Sequence, residues 1–165
     1  MKKFNEIAAF GQKLMANTDM DEVLRLIADE AKKLVNAQRC SLFIVDEENE
    51  LLWTKHSDGL ERIVVGLHSG VVGDTYQKQT PQIVNNPYED ERFLPHIDKK
   101  SGFVTHNIIT VPIYNSKRNI MGILQLLNKQ EGDFDNDDLE FLIFYANYIS
   151  GSLELVMLND DKEND

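Results

Sequence analysis

At Arg39 the spacing of the core-forming residues changes, and that change limits the fold more than any other feature of this chain. Before it, Phe4, Ile7, Gly11 and Leu14, then Met20, Val23, Ile27, Ala31 and Leu34, recur at intervals of three and four, as on one face of a helix. After it come short apolar, β-branched and aromatic runs separated by turn residues, the mark of strands. Helical spacing returns only near Asp135. Strands in the middle and helices at both ends predict an α+β domain. Its core is a central antiparallel β-sheet of about six strands, with the N- and C-terminal helices packed on one face.

The periodicity predicts helices near 2–16 and 19–35, with Thr18 or Asp19 capping the second. Cys40–Val45 and Glu50–His56 read as a hairpin closed by Asp46-Glu-Glu-Asn49, and Glu61–Gly66 as a third strand. Ser69 is placed to cap a short helix ending near Gln79, and Gln82–Val84 is a short extended piece. Pro87–Gly102 reads as a long polar connection, a length that is usually functional or disordered. His106–Asn115 and Asn119–Asn128 form a second hairpin, and the last helix runs from Asp135 to Leu158. The whole chain is one domain with its core over 19–157, an N-terminal helix over 1–16 and an acidic, frayed tail over 159–165.

Charge narrows the partners. The formal net charge is −11, a field that repels nucleic acid and anionic lipid. No run approaches 18 apolar residues, so no membrane span is expected. The N-terminus lacks the apolar stretch of a secretory signal, and Cys40 is the only cysteine; both point to the cytoplasm.

The residues that could do chemistry are sparse. Cys40 lies in the run Cys-Ser-Leu-Phe-Ile-Val, a buried strand rather than an activated nucleophile. His56, His68, His96 and His106 are scattered, without metal-ligand spacing, and there is no phosphate-loop motif. Ser69-Gly-Val-Val72 opens a helix whose free N–H groups suit either a phosphate or an ordinary cap. Lys129 at a strand end and Asp138 at a helix start read as an ion pair fixing the turn between them. These residues predict no enzyme, catalytic group, metal or required cofactor.

Several segments carry a resemblance: Arg39-Cys-Ser-Leu-Phe-Ile-Val-Asp46, Gly70-Val-Val-Gly73, Asn86-Pro-Tyr-Glu-Asp-Glu-Arg-Phe93, Asp98 to Pro112 and Gly122 to Asn128. Together they resemble GAF domains, most closely those of cyclic-nucleotide phosphodiesterases and of bacterial or cyanobacterial adenylyl cyclases. The family's signature is matched by Asn128, Lys129, Phe134 and Asp138, with Leu139 standing where the family has Glu. The resemblance implies a GAF/PAS-like fold with a helical or loop lid on the free face of the sheet. It implies that the Lys–Asp pair shapes the pocket without touching ligand. It further implies that Ser41 and Asp58 approach a base, that Asp98, Ser101 and Thr105 make lid and base or ribose contacts, and that backbone at Val71 and Val72 meets a cyclic phosphate. Ser57 stands where an aromatic often stacks on the base, and Gln125 replaces an acidic group on the ligand-lining strand. The methionine sulfoxide-reducing branch uses more than one cysteine, and the tetrapyrrole-binding branches need an attachment cysteine or haem ligand. Neither pattern fits this chain.

The expectation is a small-molecule-sensing regulatory domain that binds cAMP or cGMP and signals to a phosphodiesterase, cyclase or kinase-type output domain. The alternative, favoured by Ser57, Gln125 and Leu139, is a ligand-free scaffold for dimerisation or protein contact. Leu139, Leu142, Ala146, Ile149, Leu153 and Val156 form one stripe on the last helix, and Phe141, Phe144, Tyr145 and Tyr148 a second. A helix apolar on two faces has two partners, here the sheet on one side and the first helix with a second subunit on the other. A homodimer built on the terminal helices follows.

Overall fold

The computed structural model describes residues 2–16, 19–57 and 62–164, with side chains through residue 159. Two helices lead, α1 over Lys2–Met15 and α2 over Met20–Val35. The Asp19 carboxylate caps α2 by accepting the Glu22 N–H at 3.1 Å, and Asn36 closes it in the left-handed conformation at φ 52°. Thr18 lies outside the described residues. The strands are β1 (Ala37–Asp46), β2 (Leu51–Ser57), β3 (Val64–Gly66), β4 (Gln82–Val84), β5 (Ile108–Tyr114) and β6 (Ile120–Lys129). They form one antiparallel sheet in the order β3-β2-β1-β6-β5-β4. Both predicted hairpins are present, and β1 and β6 are the two central strands.

Alternation along β1 separates the two faces. Cys40, Leu42 and Ile44 enter the core under the helices, while Phe43 joins a smaller cluster on the opposite face. The helical layer is α2 with the long α5 (Asn136–Asn164), and α1 packs on both. Gly11 permits this packing, since a Cβ there would come within 2.0 Å of the Tyr148 ring.

Five details differ from the sequence reading. The 87–102 connection is not irregular: it holds a 3-10 turn at Pro87–Glu89 and helix α4 at Pro95–Ser101. Each starts on a proline, whose missing N–H costs nothing at a first helical position. The last helix runs past Leu158: α5 continues to Asn164, with no glycine or proline after Leu158 to stop it. Ser69 sits at the cap of α3 (Gly70–Lys78) but makes no side-chain cap bond, its hydroxyl lying over Gly66 instead. Tyr145 belongs to the buried stripe, with its hydroxyl donating to Ile27 O at 2.7 Å. Finally, Asn136–Asn159 is long and apolar enough to cross a membrane by length and composition. In the fold its stripe of Leu142, Ala146, Ile149, Leu153 and Val156 is buried.

Under α1, Glu30 is 9% exposed and its Oε1 has no hydrogen-bond partner. Burial, then the charge of Glu6, push its pKa above the usual glutamate range, against the opposing pull of Lys33 and Lys13. A raised folded-state pKa gives stability that is present below the unfolded value and lost as pH rises through the folded one. Glu30→Gln is therefore expected to stabilise the protein by about 1 kcal/mol near pH 8. Urea melts should show that gain shrinking toward pH 4.

Candidate ligand site

The face of the sheet away from the long helices is covered by α3 and α4, and a cavity lies between. Thr75 pins α3 to the sheet, its hydroxyl donating to Val71 O at 2.9 Å and lying 2.7 Å from the Thr110 hydroxyl. Gly73 allows α3 to sit against the preceding turn, since a Cβ there would meet the His68 carbonyl carbon at 2.5 Å. The segment leading to α4 is tied to α3 through Arg92, which bonds Asp90 at 2.6 Å and Asp74 at 2.7 Å and also meets Gln82. Burial raises the Asp74 pKa, but hydrogen bonds from Gln82, Arg92 and Lys78 outweigh it and hold the group at about 2.

The cavity has a volume of about 60 Å³. Its floor includes Ser41 and Gln125, paired across β1 and β6, and its walls include Val71, Val72, Asp98 and Thr105. Six of the eight residues implied as ligand contacts therefore meet at one place. Most of the remaining lining is apolar, from Phe43, Phe93, Leu94, Ile97, Phe103 and Leu127 among others.

Asp98 is the most heavily engaged polar group there. It is 7% exposed, and its carboxylate accepts the Thr105 N–H and hydroxyl, both at 2.8 Å, and the Tyr88 hydroxyl at 2.5 Å. That hydrogen bond pushes the Tyr88 pKa up. These bonds fasten α4 to the strand-entering segment beside it. The Ser41 hydroxyl lies 3.0 Å from that of Ser57, the residue standing in the base-stacking position. Ser101 does not reach the cavity. It is exposed and its hydroxyl donates to Ile97 O at 3.1 Å, the carbonyl one helical turn back, as serine does near a helix end. Asp58 lies outside the described residues. His106 is exposed.

Asn128, Lys129, Phe134 and Asp138 do not line the cavity, but Asn128 bonds the backbone on either side of Thr105, which does. Asn128, at φ 62°, turns its side chain back to accept the His106 N–H at 2.6 Å and to donate to Val104 O at 2.8 Å. Both bonds flank Thr105. Lys129 Nζ meets Asp138 at 2.5 Å, with the two side chains 15% and 6% exposed. Asp135 and Asp138 cap α5 reciprocally, each carboxylate accepting the other's N–H. Phe134 is buried under the helices, and Asn85 bonds both its N–H and its carbonyl. The sequence reading missed Tyr88 and Phe103. Tyr88 stood inside a quoted segment, but only the position of α4 reveals its bond to Asp98.

Comparison with known proteins agrees with this architecture. The family model of the GAF domain matches residues 19–153. The probable 3',5'-cyclic phosphodiesterase pde-5 of Caenorhabditis elegans is 30% identical over 155 residues, covering 86% of this chain and 21% of the relative. The cGMP-specific 3',5'-cyclic phosphodiesterase of Drosophila pseudoobscura pseudoobscura is 30% identical over 150 residues, covering 79% of this chain and 13% of the relative. This chain thus spans about a fifth or less of those relatives. Among solved structures, the GAF domain of an Acinetobacter phosphoenolpyruvate-protein phosphotransferase has a TM-score of 0.81 at 20% identity, covering 98% of each chain. That likeness concerns the fold alone.

Proposed function

The chain belongs to the GAF domain family, and on that premise we propose that it is a non-catalytic sensing module whose ligand, a cyclic nucleotide, binds between the sheet and α4. The observation that carries this reading is the convergence of Ser41, Val71, Val72, Asp98, Thr105 and Gln125 on one cavity beneath a short helix. The likeness to cyclic-nucleotide phosphodiesterases supports the ligand class. In this reading the base meets Ser41, Thr105 and Gln125, and the cyclic phosphate meets backbone at Val71 and Val72.

The signal leaves through the terminal helices. Phe4 packs edge-on against Phe141 and Phe144 at 5.5 and 4.9 Å, so α1 covers part of the second apolar face of α5. Phe144 and Tyr148 are still 42% and 43% exposed. A second copy of the chain covers them in a cytoplasmic homodimer, and movement of α4 passes through the sheet to that interface and on to an output domain. Neither nucleic acid nor a membrane is a partner in this scheme.

A second reading has its own support. A cavity of about 60 Å³ is far below the roughly 300–1,000 Å³ of ligand pockets, which favours a ligand-free dimerisation scaffold unless α4 opens. A thermal-shift series with cAMP, cGMP, AMP and GMP separates the two. A ligand at 100 times its Kd adds about 2.7 kcal/mol, a rise of roughly 5–10 °C for a domain of this size. A saturable rise for one cyclic nucleotide, absent for its linear monophosphate, is expected. No rise at millimolar concentration would leave the scaffold.

A further inference from the structure

Among the described residues, only two buried side-chain nitrogen or oxygen atoms lack a hydrogen-bond partner: Glu30 Oε1 and Arg39 Nη1. Glu30 is a carboxylate under α1, and its pKa shift explains how it is tolerated. Arg39 has no such escape, because a guanidinium does not deprotonate in proteins. An arginine N–H out of water and without an acceptor is costly, and such an atom in a native fold calls for an explanation.

The position of Arg39 supplies one. It lies two residues before Ser41 on β1 and pairs with Leu127 on β6. Alternation places its side chain on the same face of the sheet as those of Ser41 and Phe43, which line the cavity. Its guanidinium lies 3.9 Å from the centroid of the Phe103 ring, and Phe103 lines the cavity as well. The ring therefore separates a cation from the space under α4. Phe103 follows Gly102, which ends α4 in the left-handed conformation at φ 75°. A displacement of α4 that took Gly102 and Phe103 with it would move the ring and open Nη1 to the cavity.

We propose that Arg39 is the charge-recognising residue of this site, and that the ligand carries an anionic oxygen group, phosphate or carboxylate, which bonds the unpartnered Nη1 once Phe103 moves aside. In the closed state the ring shields the guanidinium through a cation–π contact. In the bound state the anion replaces the ring as its partner. The protein's net charge of −11 makes such a local cation necessary for holding an anion. The proposal rests on the cavity being a ligand site, but not on the ligand being a nucleotide.

The test compares wild type with Arg39→Met by calorimetric titration and thermal shift. Two matched pairs are used: cGMP with guanosine, and phenylacetate with phenylacetamide. Wild type is expected to favour the anionic member of at least one pair by about 10-fold or more, the usual weight of a hydrogen bond to a charged group. The pair that shows the preference tells phosphate from carboxylate. Arg39→Met should bring the preference to unity while binding of the neutral member is kept. The unliganded variant should melt at or above the wild-type temperature, since an unpaired buried N–H is gone. Equal binding of anionic and neutral members by wild type would overturn the Arg39 proposal and leave the cavity as a ligand site. A preference retained in Arg39→Met, or a marked loss of stability in that variant, would make Arg39 a structural residue. If no probe shifts either protein, both the proposal and the ligand-site reading fall.

Discussion

Asp138→Ala is expected to destabilise the domain by about 3–5 kcal/mol, a large share of the roughly 5–15 kcal/mol that holds a typical domain folded. The carboxylate serves two groups at once. It receives Lys129 Nζ at 2.5 Å and the Asp135 N–H at 3.0 Å. Removing it leaves a lysine only 15% exposed without its partner and opens the first turn of α5. The damage would spread, because the Lys129 N–H bonds Asn107, and the neighbouring Asn128 holds the chain on both sides of Thr105. Urea denaturation gives the number, and the double variant with Lys129→Met tests its cause. If the stranded ammonium dominates, the double variant is more stable than Asp138→Ala alone. If the loss is one of helix capping, Lys129→Met adds to the damage.

Much of this could be read from the residues, for a definable reason. Strand alternation and helical periodicity are local, so Cys40, Leu42 and Ile44 declare one face of β1 and Ser41 and Phe43 the other without knowledge of the rest. Asp19 is equally local, a cap followed three residues later by the N–H it accepts. The Lys129–Asp138 pair was legible because a strand end and a helix start nine residues apart must meet in the turn between them. What escaped was set by packing at a distance. The helix at Pro95–Ser101 has too few residues to show a period, and only the proline at its first position marks it. Ser101 lies on that helix with its hydroxyl spent on Ile97 O, which a resemblance by position cannot register. Tyr145 read as part of the second apolar stripe, facing the first helix and a second subunit, yet it lies under α2 with its hydroxyl on Ile27 O. Arg39 stood in one of the segments that carry the resemblance, but nothing in a strand sequence says which arginine will be left without an acceptor.

Asp98→Ala and Tyr88→Phe are expected to move ligand binding in opposite directions. No nucleotide fits the cavity while α4 is down, so binding includes the free energy of raising it. Asp98 fastens α4 by accepting three hydrogen bonds, two from Thr105 and one from Tyr88, and the same carboxylate and the Thr105 hydroxyl face the space the ligand would fill. A ligand that uses these groups must therefore break the latch and take over its bonds. Tyr88→Phe removes one latch bond and nothing that the cavity needs, as Tyr88 does not line it and is 56% exposed. Its effect should be a more frequently open α4 and cyclic-nucleotide binding tighter by about two- to five-fold, the weight of an ordinary, partly exposed hydrogen bond of about 0.5–1 kcal/mol. Asp98→Ala opens α4 as well but deletes the group the ligand would engage, and binding should fall by at least about 10-fold. Hydrogen exchange across Pro95–Ser101 reads the opening directly and should quicken in both variants. Faster exchange in both with weaker binding in both would show that the ligand needs α4 closed and held by Tyr88. Unchanged exchange in Tyr88→Phe would mean that the bond from Tyr88 to Asp98 does not hold α4 at all.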